Sequence, residues 1–353
     1  MPYTLIDLGQ DLVPWRVNLN NDVLFEAQGA GDPLQVRLAG GELIVLPSGL
    51  SGGVGISDNG LVIASLADGG SAWCDIATGA IEPIVMSGLG SAQAQAMNNR
   101  GDVAGSVGNQ AFIITYATRA VTLVAPSVLP SPLSGVTSAS VVFNDINDQG
   151  QAVGVQQWLA GENQLEQPLW FDGASLHPIG APTFIANGIL ITEDLSMRVW
   201  HDTGITNGDS IFDAPTGALT PFAGFINGMS PGGQVLWNVQ DQDDASYLTT
   251  PAGTTPMIDL FPAGSGYASA SGTRMSQAGT LIGFAGKDDG TAHGVMLIPE
   301  RRPLPFRPPI GEVLVPTIII EEAGGIVEVF PGDAPGPPEV FRQGGEDAGD
   351  SDR

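Results

Sequence analysis

Gly228-Met229-Ser230-Pro231-Gly232 spells the pattern of a serine nucleophile on an elbow, G-x-S-x-G. That chemistry needs a strand running sharply into a helix, which lifts the hydroxyl clear of the sheet. Here the serine falls on a turn between short apolar strands, so a turn role is expected. Four carboxylates gather at Asp145, Asp148, Glu162 and Glu166. Glycoside hydrolysis needs two carboxyls at a set separation, and only a fold supplies a separation. Asp241, Asp243 and Asp244, and the run Asp288-Asp289-Gly290, offer oxygen ligands to calcium. Neither has the alternating spacing of a calcium loop, so solvated turns and no cofactor are expected. His177, His201 and His293 are too scattered for a metal motif.

The elements that must position such groups repeat along the chain. Asn98-Asn99-Arg100-Gly101 reads as a tight turn after Met97 and before Val103. Asparagine suits its first place because the side chain can bond the backbone two residues on, and glycine suits its last because φ > 0 is often required there. The phrase returns at Ser57-Asp58-Asn59-Gly60, Asn147-Asp148-Gln149-Gly150, Ser230-Pro231-Gly232-Gly233 and Ser276-Gln277-Ala278-Gly279. It opens at Asn18-Leu19-Asn20-Asn21, where Asn21 stands in for glycine, and is shortened to Asn187-Gly188 in the fifth unit. Seven strand-rich units recurring about every 40–50 residues predict the blades of a propeller.

The last unit, ending at 294–299, lacks a fourth strand, while the opening stretch 3–9 resembles the fourth-strand segment Pro256-Met257-Ile258-Asp259-Leu260. The N-terminal strand is therefore expected to complete blade seven and close the ring. Ile6-Asp7-Leu8-Gly9, the turns at 97–105 and 146–154, and Gln110-Ala111-Phe112, with His293 at the matching place in the last unit, resemble the HAF family of repeat proteins over about residues 3–299. The resemblance implies a β-propeller-like, often exported protein and carries over no catalytic residue.

Composition narrows the partners. The formal charge of −26, with 12 basic residues against 38 acidic ones, argues against nucleic acid or an anionic membrane, since phosphate binding needs clustered Lys and Arg. No apolar run is long enough to span a membrane. Cys74 is the only cysteine, so an internal disulfide is impossible, and a small buried residue is expected. No Arg- or Lys-led apolar leader is apparent, which argues against ordinary secretion.

Two domains are expected: a seven-bladed all-β propeller over 1–299, closed by the N-terminal strand, and an extension over 300–353 with a β-hairpin and an acidic tail. Trp73, Trp170, Trp200, Phe112 and Tyr247 fall near third strands and should pack between blades. Trp15 and Trp158 lie nearer loops and suit exposed contacts. A Pro/Ser-rich link at 126–140 and an insertion at 160–167 should project from the ring. The β-branched runs 313–320 and 325–329, split by 321–324, have no place in a closed ring and could add strands to a neighbour. Trp158, Glu162, Val313, Ile318, Ile319 and Ile320 are thus the expected partner-binding residues, and no catalytic, cofactor or metal residue is expected. The function that follows is a non-catalytic recognition or assembly scaffold, for instance a structural piece of a virus-like particle or surface appendage. A glycan-binding adhesin and a glycan hydrolase with a site in the central pocket are the alternatives.

Overall fold

Short strands, many of them ended by a turn residue with φ > 0, give seven four-stranded antiparallel sheets in chain order. This computed structural model describes residues 2–25, 32–86, 88–126, 134–202, 207–239 and 245–300, and the two short strands Glu321–Glu322 and Gly325–Ile326. Blades 1 to 6 span 14–45, 50–83, 93–124, 138–178, 185–221 and 225–256. Blade 7 joins the strands of 267–299 to Tyr3–Gln10, which pairs antiparallel with Ala292–Pro299. Ile6 lies opposite Met296 and Asp7 opposite Val295. The protein is a seven-bladed β-propeller closed by its N-terminal strand.

The closing strand is also latched by side chains. Asp7 Oδ1 faces His293 Nδ1 at 2.9 Å, and Lys287 Nζ donates to Asp7 Oδ2 at 3.0 Å. His293, the residue that matched the repeat's histidine, is thus part of the seam.

The core lies between blades, because each sheet can bury its two faces only against its neighbours. Ile63 and Trp73 of blade 2 pack with Ala94, Val103 and Phe112 of blade 3, and Ala104 and Ile113 of blade 3 pack with Phe143 and Leu169 of blade 4. Cys74 is buried in a similar cluster.

Blade 5 differs from its expected reading. Asn187-Gly188 is not its turn; both residues lie inside the inner strand Ile185–Ile191. Gly188 is glycine because blade 4 approaches so closely there: a Cβ would meet Val153 Cγ2 at 2.5 Å and Gly154 O at 2.8 Å. The actual turn is Thr192-Glu193-Asp194-Leu195, and Leu195 takes the left-handed conformation with φ 63°. The later turn places Trp200 on the second strand, Ser196–Asp202, rather than the third.

Other expected boundaries also shift. In blade 6 the fourth strand is Gly253–Pro256, and Met257–Leu260 is a 3-10 turn. Residues 160–167 are not an inserted loop: strands Ala152–Ala160 and Asn163–Phe171 form one long hairpin around Gly161 and Glu162. The chain divides into two compact units, Met1–Pro305 and Phe306–Arg353. In the second, Glu321–Glu322 pairs antiparallel with Gly325–Ile326, so a strand falls on residues expected as the turn.

Candidate functional site

In every blade the inner strand carries an extra, unpaired residue three positions before the first residue of the turn, and the inner strands of blades 2 and 7 carry a second one earlier. The bulged residues nearest the turns are Trp15, Val54, Gln95, Asn144, Ile189, Asn227 and Thr273. A bulge bends its strand and re-aims a side chain. Here the inner strands of all seven blades surround one cavity of about 410 Å³ on the propeller axis, with Val54, Gln95, Asn144, Ile189 and Asn227 in its wall.

Neighbouring turns are linked to one another at this cavity. Their first residues, Asn18, Ser57, Asn98, Asn147, Thr192, Ser230 and Ser276, are all buried polar groups. Asn98 Oδ1 accepts the Arg100 and Asp102 amides at 3.0 and 2.9 Å, holding its own turn. Its Nδ2 donates across to Asn147 O of the next blade at 2.9 Å, as Asn18 Nδ2 does to Ser57 O. Acidic side chains one residue later continue the pattern. Asp58 accepts the Leu19 amide, Asp148 the Asn99 amide, and Glu193 the Asp148 amide, at 2.7–2.8 Å. Blade 1 is thereby tied to blade 2, blade 3 to blade 4 and blade 4 to blade 5 by bonds from one turn to the next.

Three arginines line the same cavity: Arg16, Arg198 and Arg274. Arg16 donates to Val54 O at 2.9 Å and to Trp15 O at 3.1 Å. Arg198 is neutralised by Asp209, which has no exposed surface, at 2.8 Å. Arg274 donates to Thr273 O at 2.9 Å, and no carboxylate lies within ion-pair distance of it among the described residues. The guanidinium carbons of Arg16 and Arg274 sit 4.6 and 5.0 Å from the centroid of the Trp15 ring, the cation–π geometry that steadies a guanidinium. Burial, and then the Arg198 charge, hold the Arg274 guanidinium below its ordinary value, against the pull of Asp145.

Two carboxyls in the wall are displaced upward. Burial pushes Asp145 up to about 6, although the Ile191 and Ile146 amides and the Arg16 and Arg274 charges oppose it. Burial, and repulsion from Asp148 and Asp145, push Glu193 up to about 7 against the Asp148 amide and Arg100. The sign for stability follows directly. Both groups hold a proton in the folded chain that the unfolded chain has released, so their contribution is complete below pH ~4 and is lost as pH rises through 6 to 7. The loss is on the order of 2 kcal/mol per group. The thermal midpoint is expected to fall between pH 5 and pH 8, and the double variant Asp145→Asn/Glu193→Gln should flatten that slope. An unchanged slope in the variant would assign the effect to the general negative charge.

The residues singled out in the sequence have separate fates. Asp145 and Asp148 line the cavity, whereas Glu162 is exposed at a hairpin tip and Glu166 bonds Gln157, Gln164 and the Ala186 amide. Trp158 is only 3% exposed and so is no free contact residue. The two-residue period of the long hairpin puts it on the covered face, beside Leu159 on the open one. Trp15 is half-buried between its two arginines. Ser230 is buried and donates to Gln234 Oε1, without a histidine or acid beside it among its described partners. Asp289 caps Thr291 in a turn. Val313, Ile318, Ile319 and Ile320, and the acidic loop 241–244, lie outside the described residues. Among the described residues no helix is long and apolar enough to cross a membrane, and no cluster of three or more His, Cys, Asp or Glu could hold a metal.

Arg16, Arg198, Arg274, Glu193 and Gln277 were not singled out as functional. For three cavity residues a signal existed: Arg16, Asp145 and Arg274 all stand two positions before the first residue of a turn. Only an alignment of the seven units on their turns exposes that coincidence, and a fifth turn read at Asn187-Gly188 hides Glu193.

Comparison with known proteins agrees on architecture alone. No family model and no curated protein matches the chain in sequence. Among solved structures it is similar to the β-propeller domain of the Trilobed protease from Pyrococcus furiosus, with a TM-score of 0.52 at 8% identity, covering 85% of this chain and 97% of that one. It is also similar to an oligogalacturonate lyase from Vibrio parahaemolyticus, with a TM-score of 0.53 at 9% identity over 85% of this chain and 98% of that one. The Pyrococcus domain is described as having an open velcro topology. In the present chain the ring is closed by the pairing of Tyr3–Gln10.

Proposed function

We propose that the protein is a non-catalytic recognition scaffold whose ligand enters the axial cavity. One observation carries this reading: each carboxylate named in the cavity wall accepts a backbone amide. Asp145 Oδ2 takes the Ile191 amide at 2.9 Å, Asp148 that of Asn99, and Glu193 that of Asp148. A general base must be free to approach a substrate proton. Carboxylates that tie one blade to the next cannot move without loosening the ring, so the glycan hydrolase is the weaker alternative.

The assembly side of the proposal assigns docking to the segment after Pro299, whose β-branched run at 313–320 suits strand addition to a protein partner. The propeller would then be a structural piece of a virus-like particle or surface appendage, a setting also suggested by the resemblance of its turns to HAF repeats and by the presence of a single lysine, Lys287. The test compares the full chain with one ending at Arg302. Both should melt alike and leave a panel of glycosides intact, and only the full chain should be incorporated into its particle or appendage. Turnover lost on Glu193→Gln would replace the scaffold with the hydrolase. Equal incorporation of both chains would remove the docking role.

A further inference from the structure

We propose that the axial cavity is a binding site for a small hydroxylated carboxylate, with Arg274 and Arg16 receiving the carboxylate and Gln277 receiving a ligand hydroxyl. The inference rests on the reading of this cavity as a binding site and names the chemistry of its occupant.

The first support is the placement of charge. The chain carries a formal charge of −26, and residues 1–300 contain only seven basic side chains. Three of those seven face this one cavity. Arg198 is accounted for by Asp209. Arg274 has a backbone carbonyl and the Trp15 ring as neighbours but no ion-pair partner among the described residues. A guanidinium largely shielded from water and without an ion pair is costly, and its planar donor fork matches an incoming carboxylate. Arg16 stands on the same indole, so the two cations are held close on Trp15.

The second support is independent of charge. Gln277, on the turn of blade 7, donates its Nε2 to Ile191 O of blade 5 at 3.3 Å, which fixes the amide across the cavity. Its Oε1 is buried and has no hydrogen-bond partner. A buried acceptor left unmet costs free energy that a ligand donor would recover. A carboxylate alone offers no donor, whereas a hydroxy acid supplies both the anion and the hydroxyl. The volume, about 410 Å³, is ample for a six-carbon acid and falls within the range of small-molecule sites.

The titratable and charged groups facing the arginines are Asp145 and Asp148 from blade 4, Glu193 and Arg198 from blade 5, and each other from blades 1 and 7. Because Asp145 and Glu193 gain protons as pH falls through about 7 to 6, the cavity becomes more positive while a sugar acid stays ionised. Affinity for the anion should therefore rise on acidification.

Isothermal titration of the full chain with four probes tests the assignment: D-gluconate, its neutral counterpart sorbitol, hexanoate, and inorganic phosphate. Gluconate is expected to bind, more tightly at pH 5.5 than at pH 8, and sorbitol to give no heat. Arg274→Gln, checked for an unchanged melt, should weaken gluconate by about tenfold or more, in line with loss of a charge-assisted pair. Gln277→Ala should weaken gluconate but leave hexanoate unchanged, which separates the hydroxyl contact from the anion contact. Should Arg274→Gln fail to fold, the sorbitol and Gln277→Ala comparisons still decide. Phosphate binding as well as gluconate, with no effect of Gln277→Ala, would overturn the hydroxyl assignment. No binding of gluconate, hexanoate or phosphate at millimolar concentration would overturn the site as a whole, whereas turnover of a probe would overturn the non-catalytic reading instead.

Discussion

Removing residues 2–10 from the full chain is expected to abolish cooperative unfolding. Tyr3–Gln10 supplies the fourth strand of blade 7, and without it Ala292–Pro299 becomes an open edge. Tyr3 and Leu8 would no longer be buried, a loss of roughly 2 kcal/mol each before any strand pairing is counted. The larger effect is cooperative. Met296 and Leu297, which have no exposed surface, would lose part of their cover, and an unpaired apolar edge invites aggregation. The exposed Asp7 latch to His293 and Lys287 adds little by comparison. The measurement is a thermal melt followed by circular dichroism, with a peptide of residues 2–12 added back to restore the transition. A truncated chain that melts sharply within a few degrees of the intact one would show that the ring does not need its closing strand.

Gly154→Ala is the point substitution expected to do most damage. Gly154 lies opposite Phe143, next to the bulge at Asn144. The bulge swings the Val142 carbonyl into the space of a side chain, so that a Cβ on residue 154 would come within 1.9 Å of that oxygen. Backbone rather than a flexible side chain is in the way, so the strain cannot be relieved cheaply. Gly105 and Gly283 meet the same obstacle in blades 3 and 7, at 2.1 Å from Gln93 O and 2.0 Å from Ser271 O. A loss of about 3 kcal/mol or more is expected, read as a drop in midpoint of roughly 5–10 °C. Gly40→Ala, with open space around it, should stay within about 1 kcal/mol of the native protein. Equal midpoints for the two variants would mean that the bulge relaxes freely.

The glycine four places after the turn glycine, Gly105 or Gly154, also shows where sequence reasoning stops short. Gly101 and Gly150 are explained by local turn geometry, with φ of 87° and 78°. Gly105 and Gly154 are explained only by a carbonyl from the neighbouring strand, which no local rule reveals. The same divide separates Asn21, whose φ of 70° suits an asparagine, from Leu195, whose φ of 63° does not suit a leucine. Leu195 is held there by its N–H to Thr192 O and by the Ala214 amide on its own carbonyl. Tertiary bonds override propensity at that position, which is why local turn chemistry points to Asn187-Gly188 instead.

The amino-acid sequence by itself determined that the chain is an all-β ring of seven units and that its first strand completes its last blade. Turn chemistry and strand length are local, and a missing strand at one end with a spare one at the other is arithmetic along the chain. Only the tertiary structure decided that Trp158 is covered, and that Asp145, Glu193 and three arginines share one cavity. The cavity residues come from blades 1, 4, 5 and 7, and what brings those blades together is the closure of the ring, with bulges that turn single residues of its inner strands out of register.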